Sequence, residues 1–330
     1  MRMLPRRGFR SQVVFVAVVV LTSLLATNIA LAQIPASKWV QVNSSNKPSA
    51  RLGCVMVFDP ISQKTIMFGG YDGNTWVNDT WSFDGTNWTL ITTATAPPGR
   101  AAGSAAYDSK LKQVVLFGGF NGQYLNDTWL WDGATSTWMQ ATPAHVPTAV
   151  TGPMLFPDPR TGSVDEFGGF DGRFYQLMNW RWKNGDWHPI KGKQFPSARG
   201  SAVFGTDPVS KQTVVFGGLA DVNPVNTWTF DGRTWTQQSL LVQPSERLNT
   251  GAAYDPRFSG VVVFGGFAGQ DINETWLWSA NAWTQLSPQK SPPPRESMGM
   301  AFDELHQQSV VFGGLKGKSL LNDTWVLQTK

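Results

Sequence analysis

The chain has 330 residues, 41% of them hydrophobic, with 33 glycines, 16 tryptophans, one cysteine and three histidines. Such a length buries an ample core without covalent staples, and the lone Cys54 can form no internal disulfide. The formal charge of +4 is accounted for by Arg2, Arg6, Arg7 and Arg10, so the remainder is neutral and makes no case for nucleic acid or anionic membrane surfaces as partners.

Those arginines open the chain, residues 13–25 run apolar, and Ala30-Leu31-Ala32 is an Ala-x-Ala site. Together they read as a secretory signal peptide over residues 1–32, cleaved after Ala32. An uncleaved anchor is the alternative, but the run is interrupted by Thr22 and Ser23 and is short for a span. The expectation is a monomer of residues 33–330, secreted or held in the periplasm or cell envelope, with no membrane span after cleavage.

From there the chain repeats. Gly-Gly pairs stand at Gly69-Gly70, Gly118-Gly119, Gly168-Gly169, Gly217-Gly218, Gly265-Gly266 and Gly313-Gly314, a period of 48 to 50 residues, which signals a repeat architecture. Eighteen residues before each first glycine lies an arginine (Arg51, Arg100, Arg199, Arg247, Arg295), except in repeat three, which has Val150. Ten before it is always an aspartate. A tryptophan follows each pair by 11 or 12 residues, and a second tryptophan precedes the next arginine slot by 12. The sixth repeat ends before its second tryptophan. Trp39 stands 12 residues ahead of Arg51, so a strand around residues 38–42 is expected to complete the last repeat and close a ring without free sheet edges.

Each repeat reads as four strands. The first is rich in small residues, as in Ala101 to Tyr107, and suits the crowded axis of a ring. Its turn is Asp-Pro in four repeats (Asp59, Asp158, Asp207, Asp255), where the carboxylate accepts backbone N–H groups and proline fixes φ. The second strand, such as Val261 to Phe264, is apolar without alternation, as a sheet covered on both faces requires. The Gly pair ends it where a side chain would clash or φ turns positive. The third begins at Asn-Asp-Thr-Trp and turns into the fourth through Asp-Gly or Asn-Gly dipeptides. Cys54 occupies a slot filled elsewhere by Gly103, Ala202 and Thr250, and reads as a small buried strand residue.

The Gly-Gly doublet, the tryptophan of Asn-Asp-Thr-Trp and the second tryptophan at fixed offset resemble the kelch repeat, over Trp39 to Lys330. The resemblance implies an all-β, six-bladed propeller of the kelch and galactose-oxidase-like superfamily, with four antiparallel strands per blade. It implies no single activity.

Strand direction puts the arginine slots and the loops between strands two and three on one face. Arg51, Arg100, Arg199, Arg247 and Arg295 there are candidates for binding an anion or acidic peptide; as scaffold, each would reach over the Gly pair to the residue two before the third-strand tryptophan. That residue is Asp79, Asp127, Met178, Asn226, Glu274 or Asp323, and repeat three lacks both arginine and acid. The same face carries Trp76, Tyr124 and Tyr175, with Asn223, Asp271 and Leu320 near those positions in the other repeats. An aromatic arc suits stacking against sugar rings, or packing between loops.

Repeat three also places Asp165 and Glu166 where its siblings are apolar, with Arg181 facing them and His188 on the fourth strand. These are candidate catalytic groups, or a decayed blade with compensating ion pairs. Copper radical oxidases of the superfamily need Tyr, His and a Cys cross-linked to Tyr; here His145, His188 and His306 occupy unrelated repeat positions. No metal site of usual His or Cys spacing occurs, and no cofactor is expected. Ser82-Phe83-Asp84-Gly85 misses a sialidase-type Asp box by one residue.

Three functions remain open: a secreted binding or scaffolding propeller for a glycan, peptide or extracytoplasmic protein; a cofactor-free carbohydrate enzyme of the epimerase or mutarotase type; and a structural envelope component.

Overall fold

The computed structural model describes residues 34–221 and 226–329. The leader assigned to residues 1–32, and Asn223, lie outside the described residues.

The first strand, β1 (Ser37–Val42), is separated in sequence from the sheet it joins. Four strands then form blade one: β2 (Val55–Asp59), β3 (Lys64–Phe68), β4 (Thr80–Phe83) and β5 (Trp88–Ile91), antiparallel throughout. The registers align Val55 with Phe68, Phe68 with Thr80, and Thr80 with Ile91. Four further sheets repeat this order, and the sixth consists of Gly299–Asp303, Gln308–Phe312, Thr324–Thr329 and β1. Trp39 pairs with Leu327, so the N-terminal strand completes the last blade, as the tryptophan phase predicts.

The apolar cores lie between blades. Met56, Met67 and Trp81 of blade one pack with Ala301, Val310 and Val326 of blade six, and equivalent clusters recur around the ring. This is why the second strands are apolar on both faces: each faces one neighbouring blade on either side.

Three closed circuits of hydrogen bonds tie the blades together. Innermost, Gly53 donates to Ser297, Ser297 to Asn249, Asn249 to Ser201, Ser201 to Gly152, Gly152 to Ala102, and Ala102 back to Gly53, all between backbone groups at 2.7–3.0 Å. All six residues have positive φ, although Ala102, Ser201, Asn249 and Ser297 are not glycine. The circuit holds them in a region that L-residues otherwise avoid.

The middle circuit explains the Gly pair. Gly70 N–H donates to the carbonyl of Arg100 in the next blade at 2.8 Å, and the bond recurs around the ring to Gly314 and Arg51. A Cβ on Gly69 would lie 2.7 Å from that Arg100 oxygen, and one on Gly70 would press on Leu52 O and Arg51 Cδ. Both glycines also have positive φ. Val150 lacks the guanidinium but keeps its carbonyl in the circuit, accepting from Gly119 at 2.8 Å.

The outer circuit uses the fourth-strand tryptophans. Each indole donates to the threonine of Asn-Asp-Thr-Trp in the preceding blade: Trp88 to Thr324, Trp138 to Thr80, Trp187 to Thr128, Trp283 to Thr227 and Trp39 to Thr275, at 2.9–3.1 Å. In blade three Asn179 replaces threonine, and its Oδ1 accepts from Trp235 at 3.1 Å.

Trp39 carries closure on one fully buried side chain. Replacing it with alanine removes a large apolar volume and one link of the outer circuit, and is expected to cost about 3–5 kcal/mol, read from urea unfolding. A loss below about 1 kcal/mol would show that β1 does not lock the ring.

Candidate functional site

The five arginines are not presented to solvent. Each is buried, at 1% exposure or less, and spans its own blade. Arg51 donates to the Gly69 carbonyl at 3.0 Å and to both Asp79 oxygens at 2.5 and 2.9 Å. Arg100 with Asp127, and Arg295 with Asp323, repeat the bidentate pair, and Arg247 meets Glu274 at 2.6 Å. The acid also accepts the third-strand indole, as in Trp81 to Asp79 at 2.7 Å. Asn-Asp-Thr-Trp is thus an assembly instruction: the aspartate pairs arginine and indole, and the threonine accepts from the next blade.

Desolvation raises Asp127 and Asp323, but the bonds from Arg100 and Arg295 outweigh it and hold both carboxyls below their usual range. Blade four lacks the acid. In the place of the acid Arg199 meets Asn226 Oδ1 at 3.1 Å, and burial pushes its guanidinium down to about 10. The Trp228 indole, which would share that acid, is buried without a hydrogen-bond partner.

Blade three separates its candidate groups. Asp165, Arg181 and His188 are register partners across three strands. Arg181 holds both Asp165 oxygens at 2.7 and 2.8 Å and also bridges Asp158 at 2.8 Å. Burial, offset in part by Arg181, pushes the Asp165 carboxyl up to about 7. His188 is exposed and faces His145, with ring centroids 6.5 Å apart. Glu166 follows Asp165 and therefore points to the opposite side of the sheet. It lines a void of about 10 Å³ with Val150, Met178 and Trp180, the place where sibling blades hold arginine and acid. Burial first, and the Asp165 charge second, keep the Glu166 carboxyl well above its ordinary range.

The aromatic residues do converge. Tyr71, Trp76, Phe120, Tyr124, Phe170 and Tyr175 form an unbroken series of ring contacts, with centroids 4.9–6.1 Å apart, across blades one to three. Tyr71, Phe120 and Phe170, unremarked in the sequence, directly follow the Gly pairs and bridge back to Leu52, Ala101 and Thr151. All six rings are half-buried, and the first four border a cleft of about 340 Å³. Leu177 and Met178 continue the apolar surface at 47% and 50% exposure. Trp76, Tyr124 and Tyr175 thus lie together on this face, whereas the arginines lie behind it.

The far end of the channel is a second concavity that the sequence did not announce. Phe58, Tyr107, Tyr254 and Phe302, each the residue before a strand-one aspartate, line about 620 Å³ there with the turn prolines and Glu304. Cys54, in the channel wall between the two ends, is buried and its thiol is pushed up to about 11, which makes it inert as a nucleophile. Among the described residues no cluster of three or more His, Cys, Asp or Glu side chains is placed to hold a metal, and no helix is long and apolar enough to cross a membrane.

Asn226→Asp should supply the carboxylate that Arg199 and Trp228 lack, stabilising the protein by about 1–3 kcal/mol in urea unfolding; no gain would mean the acid contributes nothing in the other blades. Glu166 makes an opposite, pH-dependent contribution. Its folded pKa is raised, so the native state binds more protons, and stability present below about pH 4 falls as pH rises above the unfolded value. Glu166→Gln should therefore gain on the parent between pH 5 and pH 8. An unchanged difference would mean Glu166 is already ionised in the fold.

The family description KLHDC2/KLHL20/DRC7 Kelch-repeats domain matches residues 23–155, less than half of the chain. No curated protein is similar enough to this chain to count as a relative. With the same pairings carried through all six sheets, the chain folds as a six-bladed β-propeller of kelch repeats.

Proposed function

We propose that this chain is a binding propeller that holds a peptide or protein segment against the aromatic arc of blades one to three, acting outside the cytoplasm after loss of a leader cleaved at Ala32. Kelch propellers commonly serve as protein-binding scaffolds, and the leader rests on the arginines, the apolar run and the Ala-x-Ala site of residues 1–32. The observation that carries the reading is the continuous contact from Tyr71 to Tyr175. Tyrosine and tryptophan supply large contact area with few rotors to freeze, and dominate the energetics of interfaces. Exposed Phe174, Leu177 and Met178 extend the surface. The arginines act as its scaffold: they fix the strand ends from which the loops spring.

Glycan stacking uses the same rings, so the test separates the two. Peptides are selected by display against the full-length protein as expressed, whose N-terminal residue is read as Gln33 if the leader is removed, and a glycan panel is run in parallel. Trp76→Ala and Tyr124→Ala should each weaken a selected peptide roughly tenfold or more, whereas Leu241→Ser, fully exposed elsewhere, should leave it unchanged. Binding that survives both aromatic substitutions would remove the arc from the site, and binding by glycans alone would replace the peptide.

A further inference from the structure

The end of the channel away from the arc carries a second site, independent of the first. There the first strands present Phe58, Tyr107, Pro157, Thr206, Tyr254 and Phe302, one from each blade and each the residue before the turn aspartate, and the following turns complete the wall with prolines. The cavity of about 620 Å³ falls within the range of small-molecule sites. At its other end the channel is cinched by the inner circuit of six backbone hydrogen bonds. The wide mouth is therefore the one framed by the four aromatic rings.

The chemistry of this mouth has a sign. Two carboxylates border it, Asp158 and Glu304, and no lysine or arginine does. Asp158 is already matched by Arg181, whereas Glu304 forms no ion pair among the described residues. Arg160 is held at the surface by Asp231, and Arg257 is held by the buried Asp255 with its guanidinium 5.7 Å from the Phe302 ring; Lys110 and Lys211 are exposed on the turns and outside the wall. The hydroxyls of Tyr107 and Tyr254 make no hydrogen bond among the described residues, and both residues line the recess together with Glu304. A carboxylate without an ion-pair partner, in a wall otherwise made of aromatic rings and prolines, is the composition that attracts an organic cation, through the ring quadrupoles and the counter-charge together.

We propose that this mouth binds an organic cation, an ammonium or guanidinium carried on an apolar body, with Glu304 as counter-ion and Phe58, Tyr107, Tyr254 and Phe302 as the surrounding wall.

The test is isothermal titration calorimetry on the full-length protein with three probes: benzyltrimethylammonium, benzylsulfonate as the charge-reversed control, and a short neutral peptide bearing one central arginine. The cation should bind and the sulfonate should not. Glu304→Gln should weaken the cation roughly tenfold with a thermal midpoint no lower than the parent's, since burial and the Asp303 charge already push the Glu304 carboxyl up in the fold. Tyr107→Phe should weaken it less, and Trp76→Ala, on the opposite face, should have no effect. Tighter binding of the arginine peptide than of the free ammonium assigns the source of the cation to a polypeptide, and the reverse order assigns it to a small molecule. Failure of both cations to bind, equal binding of the sulfonate, or indifference to Glu304→Gln would overturn the proposal, and none of these outcomes bears on the aromatic arc.

Discussion

The structure depends on one constraint: a four-stranded blade is incomplete on both flanks, and its unmet hydrogen bonds are met by the next blade in the ring. The backbone N–H of Gly70 needs the Arg100 carbonyl, the Trp138 indole needs Thr80, and Ala102 needs Gly53. None of these partners lies within the same blade. A linear array would leave one set unsatisfied at each end, at a cost for every buried polar group. Closure by β1 removes both ends at once, which is why Trp39 stands so far from the rest of its sheet in sequence.

The repeat consensus follows from that constraint. Arginine spans the blade because the Gly pair leaves room for its stem, and an acid meets it because a buried guanidinium without a counter-charge is costly. Blades three and four show what happens when a term is dropped. Blade four keeps arginine without acid, and the guanidinium is depressed while Trp228 loses its acceptor. Blade three drops both, and a small void remains that Glu166 lines, its carboxyl pushed well above the ordinary range by burial. What cannot be dropped is the backbone: the Val150 carbonyl still accepts from Gly119 in the middle circuit, and Asn179 still accepts the neighbouring indole.

This division also decides what could be read in the sequence. Blade number, strand order and ring closure were legible because each is a spacing along the chain. The arginine–acid pair was legible because both members vanish together in repeat three. Asp165 and Glu166 could have been separated by the two-residue period of a strand, which sends neighbours to opposite faces. The wall of the far mouth was not legible. Phe58, Tyr107, Tyr254 and Phe302 come from four blades, and what brings them together is radial convergence rather than any local pattern.

The same radial geometry makes the two ends of the channel chemically different. At the arginine end, strand one enters from a loop, and the inner circuit draws six backbones together, so aromatic residues there are pushed outward onto the loops as a surface. At the other end, strand one leaves through turns whose aspartates accept their own backbone N–H groups, as Asp59 does from Ile61. No circuit of hydrogen bonds links the blades there among the described residues, and the rings before each aspartate are free to face the axis. One end is therefore a broad aromatic surface with a cleft along it, suited to an extended partner, and the other a recess suited to a compact one.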